Sequence, residues 1–193
     1  VMDMVLASNN QGKIKEFTYA LSSTPWHLIS QADVGVTEVD ETGKTFVENA
    51  LIKARHAAEI TGKAAMADDS GLVVDHLKGM PGIYSARYAK GTDQDRNNKL
   101  LAALEGVPWS QRTARFYCVI VMMRHASDPM PMMATGQLPG FISITPAGQQ
   151  GFGYDPVFYV PEMDCSLAQV PMETKNKISH RAQALSVLLN EAE

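Results

Sequence analysis

Six residues with side-chain chemistry suited to a phosphorylated ligand are spread along the chain. They are Lys13, Asp68, Asp69, Lys175, His180 and Arg181. Lys13 falls in the first turn of a predicted helix, and His180 and Arg181 open the predicted last helix. A helix N-terminus carries partial positive charge, so each cation there costs about 0.3 kcal/mol or more. A bound anion reverses that sign, and the pattern therefore predicts anion binding at these helix starts.

The segment from Ser8 to Lys13 joins a predicted strand to a predicted helix. Its backbone N–H groups, small polar side chains and lysine ammonium can converge on phosphate oxygens. It is not a P-loop, because that motif needs glycine at Ala7 and serine or threonine at Ile14. An ordinary capped helix with a solvated lysine explains the same residues, so both interpretations stay open.

Adjacent carboxylates at Asp68 and Asp69 lie between two apolar runs and precede Ser70. Such a pair repels in near-buried surroundings unless positive charge compensates it. Mg²⁺ is the natural candidate, because one or two carboxylates, water and substrate phosphates usually hold it. Successive strand side chains face opposite sides, so an extended Asp68 leaves one of the pair to face the cleft, and Asp69 is preferred. The alternative is that both acids cap turns.

Two loops carry further candidate contacts. Glu41 lies in a polar loop without a local structural role, whereas Glu48 suits the start of a helix. The loop from Gly151 to Pro156 combines glycines, which allow close backbone approach, with the Phe152 ring, which can stack on a base. Proline stands where a dinucleotide fingerprint needs its third glycine, and aromatic-glycine loops also serve as plain structural turns.

The run from Lys175 to Arg181 places four basic or titratable groups within seven residues. A solvated basic loop is the common explanation of such a run. The next acid along the chain is Glu191. Because no local carboxylate neutralises the run, its position at a helix start favours an anion.

Composition narrows the class of protein. A chain of 193 residues with 45% hydrophobic content fits one compact domain, or two small lobes around a cleft. A formal net charge of −4 argues against a nucleic-acid partner. Cys118 and Cys165 lack metal-binding spacing, so neither a disulfide framework nor a zinc site is indicated. The start has no basic region and no long apolar run occurs, so we expect a cytoplasmic protein without a membrane partner.

Hydrophobic periodicity and turn residues predict the elements that position these groups. The predicted strands are 4–7, 26–30, 64–67, 72–74, 115–123 and 130–144, and the predicted helices are 13–21, 46–61, 93–104 and 179–192. The runs 64–67 and 72–74 are interpreted as two strands hinged at an acidic turn. Strands alternate with helices early and a long hairpin lies in the middle, which predicts an α/β class with a mixed sheet in a single domain, 1–193.

Seven segments in a fixed order carry a family resemblance. They are Ala7-Ser8-Asn9-Asn10-Gln11-Gly12-Lys13, Glu41-Thr42-Gly43, Glu48-Asn49-Ala50 with Lys53-Ala54, Ala67-Asp68-Asp69-Ser70-Gly71-Leu72, Pro81-Gly82-Ile83-Tyr84-Ser85-Ala86-Arg87-Tyr88, Gly151-Phe152-Gly153-Tyr154-Asp155-Pro156 and Lys175-Asn176-Lys177-Ile178-Ser179-His180-Arg181. The ordered set spans nearly the whole chain. It closely resembles the inosine/xanthosine triphosphate pyrophosphatases, a family of house-cleaning nucleoside triphosphate diphosphatases.

The resemblance implies an elongated α/β fold with a mixed β-sheet, flanking helices and two lobes around a central nucleotide-binding cleft. It implies a homodimer that depends on Mg²⁺ and takes a small-molecule nucleoside triphosphate as substrate. The implied reaction converts ITP, dITP and XTP to the monophosphate and pyrophosphate, through attack of a metal-activated water on the α-phosphorus. Such an activity keeps deaminated purines out of DNA and RNA.

The resemblance also implies residue roles. Asp69 would orient or deprotonate the water, with Glu41 and Asp69 as the main metal contacts and Asp68 as a lesser one. Whether Asp69 is base, ligand or both stays open. The implied substrate-binding residues are Ser8, Asn9, Asn10, Gln11, Gly12, Lys13, Ser70, Phe152, Gly153, Tyr154, Asp155, Lys175, His180 and Arg181. Ser8, Asn10, Lys13 and Lys175 would hold the triphosphate, with Ser70 nearby, and residues 152–155, His180 and Arg181 would hold the purine base.

Four other interpretations remain open from the sequence. An enzyme of related fold that acts on pyrimidine or modified triphosphates would share the lysine-bearing loop and the cleft acids. A nucleotide sensor would bind without turnover. A plain phosphatase would release inorganic phosphate instead of pyrophosphate. A structural domain with incidental charged loops would need several unrelated segments to match by coincidence.

Overall fold

The structure, a computed structural model, describes residues 1–192 and has an α/β architecture. Its strands are β1 (Met2–Leu6), β2 (Trp26–Ser30), β3 (Ala64–Val74), β4 (Thr113–Met123), β5 (Met132–Ile142), β6 (Phe158–Val160) and β7 (Cys165–Ser166). Its α-helices are α1 (Gln11–Leu21), α2 (Phe46–Thr61), α3 (Asp93–Ala103), α4 (Met172–Ile178) and α5 (His180–Ala192). Within this part of the chain, no helix has both the length and the apolar character that crossing a membrane requires.

The strands form one seven-stranded sheet in the order β2-β1-β3-β4-β5-β6-β7. Strand β1 runs parallel to β2 and to β3, with Met4 opposite Ala64 in the second pair. Strand β6 runs antiparallel to β5 and to β7. The predicted α/β class with a mixed sheet is therefore confirmed.

Helix α2 shows why the local sequence folds as predicted. Thr45 is its N-cap, and the threonine hydroxyl accepts a hydrogen bond from the Glu48 N–H at 3.3 Å. Gly62 ends the helix with a φ of 65°, a left-handed conformation that glycine adopts without a Cβ penalty. Ala50 and Ala54 lie on the buried face. The predicted helix 46–61 and its glycine cap are confirmed.

The chain packs as two compact units, and each has its own core. The first comprises residues 1–69, 118–136 and those from 181 onward. Its core joins side chains of four elements that bury completely: Met4 and Leu6 of β1, Phe17 of α1, Met66 of β3 and Leu188 of α5. Burial of each such side chain stabilises the fold by about 1.5–3 kcal/mol. This core supports the three elements that carry the charged candidate residues of the unit, α1, β3 and α5.

The second unit comprises residues 70–117 and 137–180. Four side chains are fully buried in its core: Leu72 of β3, Leu100 of α3, Leu104 at the C-cap of α3 and Phe158 of β6. The Phe116 ring of β4 lies 4.4 Å from the Phe158 ring, centroid to centroid. This core supports helix α3, which contacts the glycine-rich loop at residues 151–156.

The predicted acidic turn is wrong, because β3 runs without interruption from Ala64 to Val74. A turn was expected because two adjacent carboxylates are costly inside a buried strand. Cations from other segments of the first unit compensate Asp68, so the strand continues through it.

Two smaller elements also differ from the sequence prediction. Helix α1 begins at Gln11, two residues before the predicted start, with Asn10 as its N-cap. Helix α4, which starts directly after Pro171, was not predicted, because its seven residues carry too few apolar positions to show a helical period. Lys175 therefore lies inside a short helix.

Candidate active site

The first loop positions Lys13 through two side-chain caps. The Ser8 hydroxyl oxygen accepts a hydrogen bond from the Asn10 N–H at 3.1 Å. The Asn10 side-chain oxygen accepts one from the Lys13 N–H at 3.1 Å, which satisfies an otherwise unpaired N–H of the first helical turn. The Asn9 side chain donates to Glu38 and accepts from Gln31. These contacts direct the loop, with Gln11 and Gly12 at its end, into α1 with Lys13 in the first turn.

Asp68 is the centre of a buried charge cluster in the first unit. Its Oδ2 lies 3.0 Å from Lys13 Nζ and 3.4 Å from Arg181 Nε, and the residue is only 1% exposed. Arg181 also pairs with the buried Glu16. Burial alone would raise the pKa of Asp68, but the positive charges of Lys13, Arg181 and Lys53 outweigh burial and hold this pKa well below its usual range. The carboxyl therefore stays ionised.

Asp68 and Glu16 therefore supply negative charge to the two cationic helix starts. Lys13 and Arg181 each lie at the positive end of a helix dipole, which predicts an anion near both. For the Arg181 guanidinium, two carboxylates of the protein itself are that anion. The pKa of Arg181 is raised accordingly, because the attraction of Glu16 and Asp68 outweighs the effect of burial. Contact of Arg181 with a purine base stays a prediction.

Asp69 faces the opposite side of β3 from Asp68, as alternation along a strand requires. Its Oδ1 lies 3.8 Å from Lys53 Nζ, which itself lies 2.7 Å from Glu41 Oε1. Lys53 also donates a hydrogen bond to the backbone carbonyl of Asp68 at 2.6 Å. One ammonium group thus draws the β3 acids and the Glu41 loop together.

The pKa of Asp69 shifts upward, whereas that of Asp68 shifts downward. Burial is the largest influence and raises the pKa of Asp69 to about 6, and the attraction of Lys53 and Lys13 offsets burial only in part. Lys53 has a raised pKa, since Asp68, Asp69 and Glu41 outweigh the burial that lowers it. An acid with a pKa near neutrality is suited to accept a proton at physiological pH.

Two carboxylate oxygens of this cluster are buried without a hydrogen-bond partner among residues 1–192, Asp68 Oδ1 and Asp69 Oδ2. Oxygens of this kind fit a hard cation. The described residues contain no group of three or more histidine, cysteine, aspartate or glutamate side chains arranged to hold a metal ion. A divalent ion at Glu41 and Asp69 would therefore take further ligands from water and substrate phosphates.

The second unit joins the other predicted residues around Lys175. Lys175 Nζ lies 2.7 Å from Asp155 Oδ2 and 4.6 Å from the centroid of the Phe152 ring. Asp155 Oδ2 also accepts a hydrogen bond from the Phe152 N–H at 3.1 Å, and the Tyr154 hydroxyl donates to the Ser85 carbonyl at 2.6 Å. The loop is thus folded around a buried ion pair, and Lys175 has a carboxylate partner that its local sequence does not show.

His180 and Ser70 complete the predicted set in this unit. The His180 ring stacks on Phe116 with centroids 4.8 Å apart and planes at 12°. Ser70 is half-buried in β3, directly after Asp69. The structure thus groups the predicted residues into a charge cluster of the first unit and a loop cluster of the second.

Comparison with known proteins assigns the family, because the Ham1 family profile matches residues 4–191. The chain belongs to the Ham1 family. This Ham1 chain is 54% identical over 187 residues to a Vibrio parahaemolyticus protein named dITP/XTP pyrophosphatase, a match that covers 96% of this chain and 94% of that protein. The family resemblance drawn from the ordered motifs is confirmed.

Two solved Ham1 structures share the fold over almost their whole length. A HAM1 protein from Coxiella burnetii has a TM-score of 0.90 at 46% identity and covers 99% of this chain and 100% of its own. The Staphylococcus aureus Ham1 protein has a TM-score of 0.85 at 42% identity, with the same coverage.

Sequence reasoning did not assign a role to two residues of the Ham1 charge cluster, Lys53 and Glu16. A signal existed for each. Lys53 lies three residues after Ala50 and one before Ala54, on the buried face of α2, where a lysine needs a charged partner. Glu16 directly precedes the fully buried Phe17 in α1. An ionisable side chain at an apolar position is the pattern that would have identified both.

Proposed function

We propose that this Ham1 chain hydrolyses noncanonical purine nucleoside triphosphates, namely ITP, dITP and XTP, to the nucleoside monophosphate and pyrophosphate. Its relatives named dITP/XTP pyrophosphatase support the substrate class. The observation that carries the proposal is the pair of adjacent acids in β3. Asp68 is held ionised by Lys13 and Arg181, whereas Asp69 has a raised pKa and a buried oxygen without a partner.

In the proposed reaction a water oxygen attacks the α-phosphorus. The bond between that phosphorus and the oxygen bridging to the β-phosphate breaks, and pyrophosphate leaves. Asp69 orients the water and accepts its proton. Burial raises the pKa of its carboxyl to about 6 in the metal-free chain, and a bound cation would lower that pKa. Lys13 and Lys53 offer fixed positive charge to the phosphates, and such electrostatic complementarity is the main source of catalysis in phosphoryl transfer.

Mg²⁺ is the proposed cofactor, with Glu41 and Asp69 as its main protein contacts and Asp68 as a lesser one. The donor set fits, because Glu41 and Asp69 approach one ammonium group in the structure and Asp69 Oδ2 has no hydrogen-bond partner among the described residues. When bound, Mg²⁺ neutralises phosphate charge and makes a bound water more acidic. Orientation of that water remains the task of Asp69.

Base recognition is proposed for the second unit. Phe152, Gly153, Tyr154 and Asp155 offer a ring and backbone groups, and His180 adds a buried imidazole. A site that hydrogen-bonds a 6-keto purine leaves buried polar groups unpaired when a 6-amino purine enters, so ATP should be rejected. A 2-amino group should likewise disfavour GTP.

Two further properties are proposals. A homodimer follows from the family resemblance, and light scattering on the purified chain at micromolar concentration tests it. A cytoplasmic location agrees with the two free cysteines, Cys118 and Cys165. Fractionation of the source cell with an antibody tests the location.

The proposed function is tested by product analysis over a panel of ITP, dITP, XTP, ATP, GTP, dTTP and UTP with Mg²⁺. We expect monophosphate and pyrophosphate from the first three and slow turnover of the others. Asp69→Asn should abolish turnover while calorimetry still detects ITP binding, and Glu59→Gln, an exposed acid on α2, serves as the matched control. Inorganic phosphate as the product indicates a phosphatase, binding without turnover in the wild type indicates a sensor, and preference for dTTP or UTP indicates a pyrimidine enzyme.

A further inference from the structure

Helix α3 forms hydrogen bonds with both backbone polar groups of one residue in the glycine-rich loop, Gly153. The Gly153 N–H donates to Asp93 Oδ2 at 2.8 Å, and the Gly153 carbonyl accepts from Asn97 Nδ2 at 3.1 Å. Asp93 and Asn97 are four residues apart, so they project from one face of the helix on successive turns. Both polar groups of Gly153 are therefore fixed by one rigid element of the same unit.

The loop needs this external support because of its own composition. Gly151 and Gly153 have φ values of 72° and 62°, left-handed conformations that glycine adopts freely but also leaves freely. Inside the loop, Asp155 accepts from the Phe152 N–H and pairs with Lys175. The hydrogen bonds from α3 remove the remaining freedom at Gly153, between the Phe152 ring and the Asp155 carboxylate.

Asp93 and Asn97 differ in their contacts with groups other than Gly153. Asp93 also pairs with Arg96 at 2.7 Å, one turn along the helix. Asn97 is buried, and no donor within residues 1–192 reaches its Oδ1. A buried acceptor without a partner destabilises a fold, and a leucine of similar size would remove it, although the Gly153 carbonyl would then lose its Asn97 donor. The hydrogen bond to Gly153 is therefore what asparagine supplies at this position.

We propose that Asp93 and Asn97 are positioning residues for base selection: they hold the backbone N–H and carbonyl of Gly153 so that the loop distinguishes 6-keto from 6-amino purines. The proposal rests on the proposed function and deepens it. Rejection of a wrong base depends on hydrogen-bond geometry, because an amine placed against a fixed donor leaves polar groups unpaired. A loop that is free to adjust recovers some of those bonds, so selectivity falls before folding does.

The test uses Asn97→Leu with Asn98→Leu as its matched control, since Asn98 is the exposed neighbour on the same helix. For Asn97→Leu we expect kcat/KM for ITP to fall roughly tenfold or more, with a much smaller change for ATP. The ratio of kcat/KM for ITP to kcat/KM for ATP should therefore fall, while the thermal midpoint of unfolding stays within a few degrees of the wild-type value. Hydrogen exchange of the loop amides 152–155 should become faster in Asn97→Leu and stay unchanged in Asn98→Leu.

An unchanged ITP to ATP ratio in Asn97→Leu overturns the proposal, even if hydrogen exchange becomes faster. Equal losses for both substrates also overturn it, because they indicate a merely structural role. If Asn97→Leu fails to fold, Asp93→Ala carries the same test, since it removes the other hydrogen bond to Gly153. Failure of the proposed function is recognised separately, because the wild type itself would then release no pyrophosphate from ITP.

Discussion

Asp69→Asn should make the metal-free protein more stable at neutral and alkaline pH. Asp69 has a pKa of about 6 in the folded chain and an ordinary value of 3.8, so its ionised form is disfavoured by folding. The folded state binds more protons than the unfolded state between these two values, and stability is therefore lost as pH rises through 6. At about 1.4 kcal/mol for each pH unit, the loss reaches about 3 kcal/mol at pH 8. Asparagine avoids that loss because it carries no charge.

Urea unfolding with EDTA at two pH values measures this effect. We expect Asp69→Asn to exceed the wild type by about 3 kcal/mol at pH 8 and by about 1 kcal/mol at pH 4.5. Asp68→Asn is the control, and its effect should have the opposite sign. The pKa of Asp68 is lowered in the folded chain, so the ionised carboxyl stabilises the fold above the ordinary value of 3.8. Replacement of this carboxyl should lower the free energy of unfolding by about 3–5 kcal/mol at pH 8. A difference in free energy of unfolding between Asp69→Asn and the wild type that does not change with pH refutes the reasoning. An Asp69→Asn variant that is less stable than the wild type at pH 8 also refutes it.

Three further outcomes are expected. Arg181→Gln should lower the free energy of unfolding by about 3–5 kcal/mol in urea, because Glu16 and Asp68 lose a buried partner, and a loss below about 1 kcal/mol contradicts this. Gly62→Ala should cost about 1 kcal/mol through its φ of 65°, with no clash around the new methyl group. EDTA should stop pyrophosphate release and Mg²⁺ should restore it, whereas turnover in EDTA excludes the proposed cofactor.

Local signals account for the elements that the sequence predicted well. Helix α2 has a cap at each end and a regular alanine face, and β2 is a short run bounded by turns, so both follow from neighbouring residues. Strand β6 has three residues and β7 has two, and α4 has seven. Elements of that length carry too little periodicity to be predicted, and tertiary packing decides them.

The charge partners in the candidate site could not be predicted from the sequence, because they lie far apart along the chain. Asp68 contacts Arg181 across 113 positions, and Arg181 contacts Glu16 across 165. A single sequence shows which charges need compensation but not which distant groups supply it. The sequence predicted Asp69 as the carboxylate that faces the cleft, and this role stays a prediction. The uninterrupted course of β3 through Asp68 could be seen only in the folded structure.

The site of water attack is the central claim, and hydrolysis of ITP in ¹⁸O-labelled water with Mg²⁺ tests it most directly. Mass spectrometry of the separated products locates the label. Attack at the α-phosphorus predicts one ¹⁸O atom in IMP and none in pyrophosphate. Label in pyrophosphate, or release of labelled inorganic phosphate, would contradict the proposal that this Ham1 chain is a pyrophosphatase that acts at the α-phosphorus.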